Sequence, residues 1–488
     1  MRPLRLLAGG LGIGGGGGGT SFDTFYVDAV NGSDSNSGAY PSQAWKTTDK
    51  VSSLSYSPGA RVLFKRGQSF PLSDTLRLRP NGGSNRKDTD TPVYVGAYGG
   101  TVLDPLPKLS SWKYLDPAGW SLYSSNIWRI DANAAVLRTG SQTSGSDGAN
   151  IGRLLVDGAI KTYRRQSIAE CVADWDFYAD DTQYLYVRAP ANPSALAAEI
   201  RAAPNVWQIG MDPGIKIRDI WFEGTGGHAC NVGSNTDVQW CVMHIIGGSN
   251  LSGHRYGDGF QQFGGAQNVT CKNCLFWENY DSALTIQGYP MNTSTSGWDN
   301  VDLSDNWVAR CQSALELWAT YGAAANSGTC PPGSGFRTVA ARRLHLFDVG
   351  RGFSRLGRWD YLAWSALVQN PTETPYFPVP ISISEMKNCS DTLLFGPAPI
   401  DPLPPSRTGS VNSSDYRFEV SALSLPSGSR IDRKMTYTVE QFIDYNSAAI
   451  VKFDQSTMAI EPSGSTGFAD AVLTPFANIY ASWLATHP

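Results

Sequence analysis

The stretch VTCKNCLF, residues 269–276, reads most simply as two short strands joined by a bend. Its apolar side chains fall at offsets 0, 2, 5 and 7, namely Val269, Cys271, Cys274 and Phe276. Strand side chains alternate with period two, so two alternating pairs with a phase shift between them describe two inward-facing strands meeting at a corner. The same frame is read in IKIRDIWF from 215, VQWCVMHI from 238, VDLSDNWV from 301, VAARRLHL from 339 and ISISEMKN from 381. On that frame Trp240, Met243 and Ile245 point inward with Val238. A third strand follows each frame, in ACNVG from 229, FQQFG from 260, ALTIQ from 283, ALELW from 314 and FSRLG from 353.

The frames start 23, 31, 32, 38 and 42 residues apart, too unevenly for an array of fixed repeats. They suit an all-β stack in which loops of any length leave the corners between short strands, a parallel β-helix. A β-sandwich would not repeat one eight-residue frame with one internal phase shift. Parallel crossovers are right-handed almost without exception, so the expected fold is a right-handed parallel β-helix. Inside that frame the Cys-x-x-Cys of 271–274 is core, since no second pair stands at a zinc-binding spacing.

Composition agrees. The 488 residues include 51 Gly, 15 Trp and 21 Tyr, with 17% charged residues and a net charge of -4. No basic patch suggests nucleic acid, and no apolar run approaches the ~18 residues of a membrane span. The eight cysteines are expected to be mostly reduced thiols, because a chain this long needs no disulfide framework. No metal or other cofactor is implied; calcium has no specific motif here.

The expected organisation begins with a Gly-rich N-terminal anchor over residues 1–24. The β-helix follows over 25–395, with an insert near 110–200. A Pro-rich linker, 396–409, leads to a small C-terminal region, 410–488, that caps the stack or mediates oligomer contacts. Within 25–70, Tyr26 and Val27 precede a Gly-Ser-Asp-Ser-Asn-Ser-Gly turn at 32–38, then Trp45, Lys46 and Thr47, then a Val-Leu-Phe strand ending at Gly67. A short helix near 46–54 would turn Val51 and Leu54 toward the open end of the stack. This segment resembles the opening module of β-helical polysaccharide lyases and related carbohydrate-active proteins, although Gly59-Ala60-Arg61 stands where those families usually carry an aspartate.

Outward positions on successive strands stack into columns. The third strands align as Gly227, Asp258, Asp281, Gln312 and Arg351, and then as Asn231, Gln262, Thr285, Glu316 and Arg355. Asp258 and Asp281 would be neighbours, and two close carboxylates raise the pKa of one, as a general acid requires. Glu316 and Glu278 are further candidates for the second carboxylate, with Glu316 roughly 13 Å along the strand on this alignment. Gly257-Asp258-Gly259 is equally good turn chemistry. The segment SGHRYGDG, 252–259, adds His254, Arg255 and Tyr256. A β-eliminating lyase would use His254 or Tyr256 as base and Arg255 with Arg351 as partners of a uronate carboxylate. Trp221 and Trp307 share an outward offset with His244 and His345, and flat indoles suit sugar rings. Arg355, Gln262 and Trp307 complete the candidate binding set.

Together, the Gly-rich start, β-helical body and distinct tail resemble bacteriophage tailspike depolymerases. The resemblance implies a virion tail protein that binds and cleaves bacterial surface polysaccharide, contacts tail or baseplate proteins through its N-terminus, and assembles as a homotrimer. Two alternatives stand beside it: a secreted or periplasmic polysaccharide lyase or glycoside hydrolase, and a non-catalytic carbohydrate-binding adhesin.

Overall fold

A computed structural model describes residues 23–80, 91–132, 150–180, 182–210, 213–251, 254–288, 297–319, 335–336, 338–349 and 476–488. It also describes the strands Ala366–Gln369, Val379–Lys387, Leu393–Phe395 and Tyr416–Val420. The glycine-rich start, the Pro-rich linker and most of the C-terminal region lie outside the described residues.

The chain is mostly β, with three short α-helices among the described residues. Its parallel strands form three ladders. The first runs from Thr24–Val27 through Arg61–Lys65, Val93–Tyr98, Ile215–Arg218, Thr236–Gln239 and Ala266–Lys272 to Gly297–Asp302. The second runs from Ser69–Pro71 through Lys108–Ser110, Trp221–Thr225, Val242–Ile246 and Leu275–Trp277 to Trp307–Ala309. These two merge in the long strand Val339–Phe347, which pairs with both. The third contains Cys230–Val232, Phe260–Phe263, Ser282–Gly288, Ser313–Ala319, Ala366–Gln369 and Leu393–Phe395. From Ile215 to Ala319 each tier adds one strand to each ladder, and one continuous apolar core runs between the ladders.

Left-handed backbone positions mark the corners. One column holds Gly214, Asn235, Asn268 and Asn300; a second holds Asp219, Trp240, Asn273, Asp305 and Arg343; a third holds Gly224, Ile245, Glu278, Arg310 and Asp348. The second column is the phase shift seen in the sequence frame: one residue in the left-handed region lets two inward pairs flank a corner. Asparagine tolerates that region better than most residues. Asn268 Nδ2 donates to Asn235 Oδ1 at 2.9 Å, and Asn300 Nδ2 donates to Asn268 Oδ1 at 2.8 Å.

Four of the six expected frames match the observed register, those starting at 215, 269, 301 and 339. The frame placed at 238 is slipped by two residues, because Ile217 pairs with Val238 and Thr236 with Val269. Its inward set is Thr236, Val238, Cys241 and Met243; Trp240 and Ile245 sit in the left-handed corners and pack outside the core. A β-branched but polar Thr236 at the first inward place hid the true start. Similarly, Ala341 pairs with Ile381, so the last frame begins at Val379 rather than Ile381. Cys271 and Cys274 are fully buried core residues, as expected from their offsets.

The N-terminal module closes around Trp45. Asp34 Oδ1 accepts the backbone N–H groups of Lys46 at 2.8 Å and Thr47 at 3.0 Å, and the Thr47 hydroxyl donates to Asp34 Oδ2. Thr47 in turn caps the helix Thr48–Ser52 by accepting from the Lys50 N–H. Gly38 has φ of 76° and lies against the Trp45 indole, where a Cβ would collide. Val51 from this helix enters the core and Leu54 packs beside it.

Between the second and third ladders' early tiers, the chain builds two four-stranded antiparallel sheets with their own core. That unit docks where Gly152 approaches Gly226, Gly247 and Ser249, too closely for any Cβ.

Candidate functional site

Polar residues converge on the third ladder. Cys230, Val232, Phe260, Leu284, Ile286 and Leu315 face the core. The intervening positions Asn231, Gln261, Thr285 and Glu316 form one column in direct register. Extending the same register three residues upstream aligns His228, Asp258, Ser282 and Ser313. Asp281 lies beside Gly257, donating its N–H to the Gly257 carbonyl at 3.3 Å.

This alignment corrects the one expected from sequence. Gln261, not Gln262, stands in the Glu316 column, and Asp258 aligns with Ser282 rather than Asp281. The slip arose from equating Phe260 with Ala283, when Phe260 pairs with Leu284. Gln262 consequently points inside: it is 1% exposed, accepts from Trp298 Nε1 and donates to the carbonyls of Phe263 and Gly265. The strand after that of Glu316 is Ala366–Gln369, in which Leu367 pairs with Glu316, so Arg355 is not its column neighbour. Arg351 and Arg355 themselves lie outside the described residues.

The corrected register still brings Asp258, Asp281 and Glu316 together. Ser282 ties two of them: its N–H donates to Asp258 Oδ1 at 3.3 Å and its hydroxyl donates to Glu316 Oε2 at 3.0 Å. The Thr285 hydroxyl donates to Asp258 Oδ1 at 2.8 Å, and Gln287 Nε2 approaches Asp258 Oδ2 at 3.5 Å. Asp258 is 2% exposed, Glu316 8% and Asp281 9%. Burial, reinforced by the charges of Asp281 and Glu316, drives the Asp258 carboxyl well above the usual carboxylate range; the Thr285 and Ser282 bonds offset only part of this. Asp258 is thus a buried carboxyl whose charged form is disfavoured, beside two further carboxyl groups.

His228, not singled out from sequence, completes the cluster. Its Nδ1 accepts the Asp258 N–H at 3.1 Å, which places the ring proton on Nε2. Burial pulls its pKa down to about 4, against the opposing charge of Asp281, so the ring is neutral at neutral pH. The 3.3 Å approach of Asp258 Oδ2 to Nδ1 is accordingly not an ion pair. Tyr256 and Trp207 flank the imidazole with ring centroids at 5.2 and 6.0 Å. The only sequence signal for His228 was its place one register step before Asp258, invisible until the slip is corrected. His254 and Arg255 form the short strand that pairs with Asn250–Leu251 in an antiparallel hairpin leading into Tyr256.

Glu278 and Trp307 belong elsewhere. Glu278 occupies the left-handed corner between the second and third ladders. It faces His244 at 3.8 Å and Arg310 at 3.5 Å. Burial opposes its charge, but His244, Arg310 and Arg153 outweigh burial and hold it below its ordinary pKa. Its ion-pair partners are thus His244 and Arg310. Trp307 sits on the outer face of the second ladder, stacked on His345 at 4.3 Å and 8% exposed. The C-terminal helix Phe476–Leu484 covers that face: Phe476, Tyr480 and Trp483 pack with Trp221, Trp240 and Trp277. Trp483 Nε1 donates to the Asn273 carbonyl at 2.8 Å, and His487 meets Asp219 at 2.8 Å. Trp221, one of the two tryptophans that suggested a sugar platform, is part of the seat of this helix.

Among the described residues no cluster of His, Cys, Asp and Glu has the geometry to hold a metal ion, and no helix is long and apolar enough to cross a membrane. No protein-family profile and no curated protein matches the chain. Among solved structures, it is similar to a lacto-N-biosidase of family GH136 from Eubacterium ramulus, at 13% identity and a TM-score of 0.34 over 75% of this chain. The chain spans 54% of the length of that protein. A structure described as a glycoside hydrolase is matched at 11% identity and a TM-score of 0.37, covering 82% of this chain and 97% of the other. A rhamnogalacturonan lyase is matched at 11% identity and a TM-score of 0.35, covering 94% and 98%.

Proposed function

We propose that this protein is a right-handed parallel β-helix that cleaves polysaccharide, with Asp258 as the general acid of a glycosidase-type site. The observation that carries this is the gathering of a buried Asp258, its carboxyl raised well above the usual range, with Asp281 and Glu316 around Ser282 on the third ladder. Glycoside hydrolysis needs a carboxyl that still holds its proton and a second that has lost it. In the proposed reaction Asp258 gives its proton to the glycosidic oxygen as the bond to the anomeric carbon breaks. Asp281 or Glu316 either takes a proton from the water whose hydroxyl ends on the anomeric carbon, or bonds to that carbon itself, in which case water then cleaves the ester and returns a proton to Asp258. Tyr256 and neutral His228 line the approach to Asp258. Right-handedness is supported by the general rule for parallel crossovers.

The finer proposal is a phage tail protein acting on bacterial surface polysaccharide, supported by the Gly-rich N-terminal sequence, the stacked β body and the distinct C-terminal region; the resemblance of residues 25–70 supports only a carbohydrate-active protein. A trimer measured by light scattering is its expected assembly; a monomer returns the chain to the secreted-enzyme alternative. The catalytic test is Asp258→Asn assayed for new reducing ends on bacterial capsule and lipopolysaccharide. The expected loss is about 10²–10⁴-fold, the range set by removing a general acid. Full activity in that variant excludes Asp258 as the acid, and products bearing an unsaturated uronate would identify elimination instead of hydrolysis.

A further inference from the structure

A second surface, on the inserted antiparallel sheet, has the chemistry of a binding site. Its strands are Ser121–Ser124, Ile127–Asp131, Phe177–Ala179 and Tyr184–Arg188. Ile130, Phe177, Ala179, Leu185 and Val187 turn into the insert's own core, with Trp128 packed against it. Alternation sends Arg129, Tyr178, Tyr184 and Tyr186 to the other face. Arg129, Tyr186 and Tyr178 stand in one cross-strand row. Tyr178 and Tyr186 stack at 6.1 Å, and Tyr123 meets Tyr186 edge-on at 5.1 Å. The Arg129 guanidinium lies 4.4 Å from the Tyr184 ring centre and 5.4 Å from that of Tyr123.

We propose that this face binds an acidic sugar unit of a polysaccharide, its ring on Tyr123 and Tyr184 and its carboxylate on Arg129. Charge complementarity selects the occupant. Arg129 forms no ion pair among the described residues, and its Nε has no hydrogen-bond partner. The nearby acids are engaged otherwise: Asp180 Oδ1 accepts the N–H groups of Thr182, Gln183 and Tyr184, and Asp131 Oδ2 accepts from Gln183 Nε2. The Arg129 Nε is buried and the guanidinium also bonds the Tyr186 side chain, so a carboxylate would be held by the remaining N–H groups of the guanidinium. Tyr123 is 48% exposed, so a ring-sized ligand reaches it. Such a platform would hold an acidic polymer away from the carboxylate cluster and raise its local concentration there.

The inference rests on the carbohydrate reading of the chain, and its test separates the two. Full-length protein is run in affinity electrophoresis through gels containing polygalacturonate, alginate, hyaluronate or polysialate, with dextran and xylan as neutral counterparts. At least one acidic polymer is expected to retard the wild type and neither neutral one to do so. Arg129→Gln and Tyr123→Ala are each expected to weaken retardation at least tenfold. Tyr123 is exposed enough that its variant keeps the fold. Retardation by no acidic polymer, equal retardation by neutral ones, or unaltered binding in both variants overturns the proposal. A wild type that binds through Arg129 and cleaves nothing removes the proposed reaction but leaves this site standing.

Discussion

His228 and Asp258 make opposite demands on pH although they touch. The His228 pKa is depressed on folding from 6.5 to about 4, so the native state resists a proton that the unfolded chain accepts. Its contribution is present above the unfolded value and is lost as pH falls from about 6.5 toward 4, by up to about 3 kcal/mol. Asp258 is shifted the other way: its contribution is present below the ordinary carboxylate pKa and is lost as pH rises toward its elevated folded value. Urea unfolding across a pH series should therefore show Asp258→Asn more stable than wild type at pH 8, with the advantage gone by about pH 3.5. His228→Asn should flatten the decline between 6.5 and 4 that the wild type shows. Stability curves for all three proteins that run parallel would show that neither group is shifted by folding.

The elements are held by corner residues and by the helix laid across the second ladder. Asn268 is bonded on both sides by the asparagines above and below it, with φ of 57°. Replacing it by alanine keeps the positive φ, removes both amide bonds and should cost about 1–2 kcal/mol; glycine, free to adopt that region, should restore part of the loss. Thermal unfolding of the two variants measures the difference, and an alanine variant as stable as wild type would mean the column is ornamental. Trp483 is fully buried against Trp240 and bonded to the Asn273 carbonyl. Trp483→Ala should destabilise the docked helix by about 3–5 kcal/mol. Limited proteolysis should then release the C-terminal segment while the ladders stay intact, whereas unchanged protease resistance would argue that the helix holds by other contacts.

At the scale of the whole molecule the ladders share one column of apolar side chains, separate from the core of the insert, in which thiols serve as ordinary packing. Six of the eight cysteines are buried and free, at 171, 230, 241, 271, 274 and 311. Burial pushes the thiols of Cys230, Cys241 and Cys274 well above their usual range, which suppresses the reactive thiolate. A thiol reagent should therefore label at most two cysteines of the native protein and all eight after unfolding. Reaction of a third before unfolding would mean that the stack opens locally. Because each tier touches only its neighbours, such opening would spread from an end inward.

The sequence by itself determined the repeating two-strand frame and the burial of Cys271 and Cys274. It also marked residues 32–47 as a turn leading into a short helix. All of these follow from period-two alternation and short-range turn chemistry, which are local. Tertiary structure alone decided the register between tiers, since loops of unequal length separate the strands and a slip of one residue exchanges the two faces. That is why Gln262 proved internal, Gln261 external and His228 a neighbour of Asp258. The same holds for the tryptophans: their outward direction was legible at 221 and 307, but the cover of Trp221 comes from residues 476–488, far away in the chain. No local pattern encodes which distant helix an apolar face will meet; only the packing of the whole chain selects it.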